Sequence, residues 1–454
     1  MLESLKRFHN VKSFREFFTL LTWQDIEKVA AIPLFLFLVS PFIFFWHVTI
    51  NNGWSFHMTI STIQLITFVL GATVLLCTFV KQRIEQFSLR SIAGDRMPQL
   101  LFLAMALLIL ISTLVNGFTS LALHGDSYRG ESVFSFWCYI LCYYGCASVI
   151  RSEIVKKFLC HALLFSSIFL AVVVLLDLLG LISIWHFHHR YPDYVFAINA
   201  VFINPNHYAY YLAVCVMLSF GLFLFEKKRM LCGIYLASLV LNTVVLVLNS
   251  SRGGYLGVLA GICTAIILIY KKGLASRRRF WIAVAVFTAA SGIGFFFIPE
   301  NFERFIRLFN DTFHILRRDK DADNAGSGRW KLWRYTIEYI AQKPLLGWGT
   351  EGVADMLNQE CEIDRTHCEY LQYAAFYGIP TALVYITALV SIFRKAWKQV
   401  KELPPVSIAA LLTGAAYLIS AAFGNTMFYT APYLFIMLGL GFQSSLPDRA
   451  SAQK

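Results

Sequence analysis

The chain has 454 residues, of which 57% are apolar and only 15% charged, with a formal net charge of +12 and a mean hydropathy of +0.60. Soluble domains carry about 25% charged residues, so the composition excludes an ordinary water-soluble enzyme. It does not argue for nucleic acid either, because the basic excess follows a pattern along the chain that membrane topology explains.

The first apolar run follows a polar, amphipathic N-terminal stretch and begins near residue 29, later than a cleaved signal peptide would place its core. Further runs follow, giving spans at 29–48, 58–80, 98–115, 132–150, 158–184, 207–225, 229–249, 254–270, 280–298, 369–393, 406–424 and 427–445. Runs of about 20 apolar residues cross a bilayer as helices. They are too long for barrel strands, and only helices or closed barrels satisfy the backbone in lipid. The expectation is an all-α polytopic membrane protein with about 12 transmembrane helices.

Basic residues fall in alternate loops. One set holds Lys6, Arg7, Lys12, Arg15 and Lys28; later sets hold Lys81, Arg83, Arg90 and Arg96, then Arg151, Lys156 and Lys157. Lys227–Arg229, Lys271–Arg279 and Arg394–Lys401 continue the series, whereas the intervening short loops hold only Arg129, Arg190 and Arg252. This is the positive-inside pattern, and it predicts both termini in the cytoplasm. Attraction to anionic membrane lipids is a by-product. Within the spans Asp177 is the only clearly internal acid. Secondary transporters place ionisable groups near the midplane, so that class is the weaker alternative.

The polar motifs, taken in order, all fall on the outer side. Trp185–Arg190 holds three histidines but no carboxylate or thiolate at ligand spacing, which argues against a metal; Arg190 is instead a candidate anion-binding cation. Asn204-Pro205-Asn206-His207 precedes a span, and reads either as a helix entry signal or as a site element. Ser250-Ser251-Arg252-Gly253-Gly254 joins two spans with almost no loop. An arginine at the bilayer edge needs a partner, a wet cavity or a path to the headgroups, and its fork suits phosphate.

Residues 299–366 form the one long outer insertion, read as two amphipathic helices. Phe302, Phe305, Ile306, Phe309 and Phe313 recur at helical spacing, as do Trp330, Trp333, Ile337 and Ile340. Asp319–Gly328 separates them, and Pro344, Gly347 and Gly349 end the second. The expected organisation is therefore 1–298 as the cytoplasmic N-terminus with helices one to nine, 299–366 as the outer loop, and 367–454 as the last three helices and C-terminus. The insertion would lie on the membrane surface or cap a cavity. Cys361 and Cys368 lie seven apart on that side, where an oxidising compartment permits a disulfide; spacing alone leaves the pairing open. Thr366-His367-Cys368-Glu369-Tyr370-Leu371 opens the tenth span. A helix N-terminus favours the neutral imidazole of His367, which can act as a general base.

Asn204-Pro205-Asn206, Ser251-Arg252-Gly253, Gly328-Arg329-Trp330, Pro344-Leu345-Leu346-Gly347-Trp348-Gly349 and His367 ahead of Glu369-Tyr370-Leu371 occur in an order that resembles the O-antigen ligase family. That larger group includes O-antigen polymerases and protein O-oligosaccharyltransferases. The resemblance implies a GT-C-like glycosyltransferase of the inner membrane with a periplasmic active site and no cofactor or metal. The implied donor is a glycan on undecaprenyl pyrophosphate, and the implied acceptor a sugar of the lipid A core. By motif, His367 is the implied catalytic residue and Arg252 a pyrophosphate ligand. Arg190 and Arg329 are further candidates for that anion, and Asn204, Asn206, Ser251 and Tyr370 are candidates for binding substrate or shaping the site. A polymerase with the same base and a second lipid-linked glycan as acceptor stays open as the alternative.

Overall fold

The computed structural model describes residues 11–51, 56–84, 96–126, 130–182, 188–191, 194–202, 204–317 and 322–442. Helices dominate, with one short hairpin. On the N-terminal side come α1 (Phe14–Leu20), α2 (Trp23–Leu38), α3 (Ser40–Asn51), α4 (Phe56–Ile84), α5 (Met97–Asn116), α6 (Ser120–His124), α7 (Val133–Tyr144) and α8 (Glu153–Leu178). Their starts follow local chemistry. Thr22 and Asp25 form a reciprocal capping box at α2, and Ser132 caps α7 through the Ser135 amide. Strands β1 (His188–Tyr191) and β2 (Tyr194–Ile198) then pair antiparallel, with Tyr191 opposite Tyr194.

The central group is α9 (Pro205–Phe225), α10 (Arg229–Leu248), α11 (Arg252–Lys272) and α12 (Arg277–Phe297). Helix α9 is buried at every position from His207 to Leu224. A helix that is apolar all round belongs inside a bundle, and α9 is this bundle's axis. The chain closes with α17 (Ile379–Gln399), α18 (Pro405–Ala421) and α19 (Ala431–Gly441). α18 packs on both α9 and α11.

Among the described residues, eight of the twelve expected spans are single helices long and apolar enough to cross a membrane: Ile60–Arg83, Met97–Asn116, Glu153–Leu178, Pro205–Phe225, Arg229–Leu248, Arg252–Lys272, Arg277–Phe297 and Ile379–Gln399. Of the other four, 29–48 divides between α2 and α3, and Val133–Val149, Pro405–Ala421 and Ala431–Gly441 are shorter apolar helices. The all-α polytopic class holds; the hairpin is a small addition to it.

The insertion contains the two expected helices, α13 (Pro299–Arg317) and α14 (Arg329–Gln342), and a third, α15 (Ala354–Cys361). Ahead of the last spans comes α16 (Glu369–Tyr377). The segment from Pro344 to Gly349 docks against it by backbone hydrogen bonds. The Trp348 amide donates to the Ala375 carbonyl at 2.9 Å, and the Gly349 amide to the Phe376 carbonyl at 2.8 Å. At Gly347, where φ is +64°, a Cβ would lie 2.5 Å from the Phe376 carbonyl carbon and oxygen, so only glycine fits. Close by, the buried Arg365 guanidinium pairs with Glu351 and sits 5.3 Å above the Phe376 ring.

Candidate active site

A cavity of about 290 Å³ lies where α9, α11, α14 and the segment before α16 meet. Asn204 and Asn206 enter from the start of α9. The Asn204 carboxamide oxygen accepts the Asn206 amide at 2.8 Å, so this residue is the N-cap of α9, and Pro205 at the first helical position completes the entry signal. The Asn206 side-chain oxygen in turn accepts the Ser251 hydroxyl at 3.0 Å, which ties the start of α9 to the N-cap of α11. His207 is buried against the Tyr429 hydroxyl and does not line the cavity.

Arg252 is the first residue of α11. Its two terminal nitrogens reach into the insertion, donating to Asp311 of α13 at 3.1 Å and to the Ser327 hydroxyl at 2.9 Å. Asp311 Oδ2 also accepts the Gly326 amide at 3.1 Å. Arg329 opens α14 after the left-handed Gly328, and donates to the Gly326 carbonyl at 3.0 Å. Arg304, from α13, adds a third guanidinium. Among the described residues no carboxylate lines the cavity itself. The N-termini of α9, α11 and α14 converge there, and each carries the positive end of a helix dipole. Backbone N–H groups and guanidinium forks together make an anion site.

His367 completes the lining. It stands two residues ahead of α16, half-buried, with φ at +47°. The local chain is pinned on each side: the His367 amide donates to Asn425 Oδ1 at 2.8 Å, and the Trp333 indole N–H donates to the Thr366 carbonyl at 3.1 Å. Six non-glycine residues among those described have positive φ, and three of them, Ser250, Ser327 and His367, line this one cavity. Each such conformation costs about 1–3 kcal/mol and persists where the surroundings enforce it, typically at functional sites.

The cavity thus gathers Asn204, Asn206, Ser251, Arg252, Arg329 and His367 from the sequence expectations. Tyr370 is not among them. Its hydroxyl donates to the Leu418 carbonyl at 2.7 Å, and its ring lines a separate apolar groove with Leu389 and Phe393. Arg190 lies on β1, with its side chain outside the described residues, as are those of the histidines at 186, 188 and 189. Sequence reasoning missed Arg304 and Asn249, and named Ser250 only as part of its motif. Asn249 is 1% exposed and donates to the Ile198 and Pro205 carbonyls, binding the hairpin end to the cavity wall. Cys361 and Cys368 carry free thiols, and burial pushes both above the ordinary thiol range. Among the described residues no three His, Cys, Asp or Glu side chains group as metal ligands.

A family model described as O-Antigen ligase matches residues 237–386. The matched stretch runs from α10 into α17 and includes Arg252, Arg304, Arg329 and His367; Asn204 and Asn206 precede it. No curated protein matches the chain.

Proposed function

We propose that the chain, whose residues 237–386 match a family model described as O-Antigen ligase, is a member of that family and transfers a glycan from undecaprenyl pyrophosphate to the lipid A core. The observation that carries this reading is the single cavity in which Arg252, Arg304 and Arg329 face the same space as His367. The arginines and the helix N-termini suit a pyrophosphate, whose departure needs its charge neutralised. His367 suits a hydroxyl that must lose a proton.

In the proposed step the acceptor hydroxyl oxygen attacks the anomeric carbon of the donor sugar. The new glycosidic C–O bond forms as the bond to pyrophosphate breaks, and the electron pair leaves with the phosphate oxygen. The hydroxyl proton passes to the His367 imidazole. Direct displacement inverts the anomeric centre and calls for neither a covalent nucleophile nor a metal. The alternating basic loops support an inner-membrane orientation with the cavity on the periplasmic side and both termini in the cytoplasm. In this reading 299–366 is a periplasmic cap between the transmembrane segments 1–298 and 367–454.

The test uses purified protein in vesicles with an undecaprenyl-pyrophosphate glycan and lipid A core. His367→Ala should lower transfer by about 10² to 10⁴, the usual contribution of a positioned base, with donor binding retained. Turnover near the wild-type rate would remove His367 as the base. A longer lipid-linked glycan in place of a capped core would identify the acceptor as a second donor molecule, and the enzyme as a polymerase.

A further inference from the structure

Beside the arginine cavity lies a smaller one, of about 130 Å³, which shares Arg252, Gly253 and Arg329 with it. Its remaining wall has three aromatic side chains, Trp330, Trp333 and Phe423, the aliphatic Leu256, Ile315 and Ala325, and Asp311 as its carboxylate. We propose that this annex binds the pyranose ring of the sugar joined directly to the donor pyrophosphate. The inference rests on the function proposed above.

Three features carry it. The first is position. A sugar bonded to a phosphate held by Arg252 and Arg329 is one ring away from that phosphate, and the annex begins at those two side chains. The second is chemistry. A pyranose has an apolar C–H face that packs on an indole, while its rim of hydroxyls needs donors and acceptors. The annex has two indoles, and beside them the Arg252–Asp311 pair offers an N–H donor and a carboxylate acceptor side by side. Ligand sites typically combine an apolar, aromatic lining with a few fixed polar groups.

The third feature is rigidity. Trp333 is held by its indole N–H on the Thr366 carbonyl, the residue before His367, and its ring lies 6.4 Å from that of Phe423. One indole therefore fixes both the annex wall and the chain that presents the base. Trp330 and Trp333 are half-buried, neither sealed in the core nor spread on the surface. Aromatic helix stripes usually serve packing or anchoring, but packing alone does not put two indoles on the wall of a cavity that opens from an arginine pair.

The experiment compares two probes on the full-length protein in nanodiscs: undecaprenyl pyrophosphate, and undecaprenyl pyrophosphate bearing one N-acetylglucosamine. Wild type should bind the sugar-bearing lipid more tightly. Trp330→Leu keeps apolar bulk but loses the flat face, and should weaken the sugar-bearing lipid about tenfold while leaving the sugar-free lipid unchanged. Trp330→Tyr restores a stacking face and should recover most of the loss. Arg252→Ala should weaken both probes. Equal weakening of both by Trp330→Leu, or of neither, overturns the annex as a sugar subsite. So does equal binding of the two probes by wild type. Failure of wild type to bind either lipid would instead overturn the proposed function, and the annex with it.

Discussion

Gly257 marks the crossing of α11 and α18. A methyl group built on its Cα would lie 2.4 Å from the Ala416 carbonyl oxygen and 2.1 Å from the Ser420 hydroxyl. Ser420 can rotate, giving up its bond to the same carbonyl at 3.1 Å. The carbonyl belongs to helix backbone and cannot move alone. Ordinary contact begins at 3.4 Å, so Gly257→Ala must part the two helices by about 1 Å, a gap that forfeits a quarter to a half of the dispersion attraction across it. Overpacking of this kind costs about 1–3 kcal/mol, against a gain of about 0.5–1 kcal/mol from replacing a helical glycine. The expected balance is a loss of about 1–2 kcal/mol, or roughly five- to thirtyfold in the folded ratio. Gly292→Ala in α12 is the control, because its added methyl meets nothing within 4 Å; propensity alone should stabilise it slightly. Thermal unfolding in detergent, followed by tryptophan fluorescence, should move the two variants in opposite directions. Transfer by folded Gly257→Ala should also fall, since α11 carries Arg252 at its first position. Equal melting of Gly257→Ala and wild type would refute the crossing geometry.

Two further outcomes are expected. Arg252→Lys keeps the charge but loses the fork that bridges Asp311 and Ser327, so transfer should drop at least about tenfold at equal expression; near-normal transfer would remove Arg252 from the site. Glu131, fully buried, accepts the Tyr139 hydroxyl at 2.8 Å, and burial pushes it up to about 8 although Arg365 acts in the opposite direction. Folded protein then keeps a proton that the unfolded chain loses near 4.5, so stability is full below that pH and declines as pH rises through 8. Glu131→Gln should flatten the melting temperature across that window, and parallel slopes in both proteins would refute the assignment.

The apolar runs made the helices legible, because lipid tolerates no other backbone arrangement for runs of that length. Their interruptions were not read. The run at 369–393 breaks at Gly378, where φ is +89° and a Cβ would lie 2.1 Å from the Leu345 carbonyl oxygen. The close approach comes from a segment more than thirty residues earlier, but the break itself is marked locally by Gly378 and Pro380, a helix stop and a helix start inside an apolar run. Tyr370, named through the motif that opens the tenth span, faces a separate groove; His367 precedes α16 in a left-handed conformation, so the two do not share a helix face. Arg304 was hidden among Phe302, Phe305 and Ile306, where the apolar stripe drew attention from the polar face. The Asn-Pro-Asn motif was legible as a helix entry, but the cap falls on its first asparagine, Asn204, whereas the sequence reading puts it on the second, Asn206.

The arginines of the cavity matter by where they meet. Residues 299–366 carry ten lysines and arginines, and among the described residues Arg304 and Arg329 are the two of them that converge with Arg252 on one cavity. The topology explains why they meet there. α9 and α11 both start at the cavity because α10 runs back between them, and the insertion adds the start of α14. Three positive dipole ends therefore reinforce three guanidiniums. The Arg252 fork is held by two different acceptors, one terminal nitrogen on Asp311 and the other on the Ser327 hydroxyl. In the proposed function Asp311 and Ser327 thus hold the Arg252 fork in place before an anionic substrate arrives, which lowers the cost of ordering that side chain on binding.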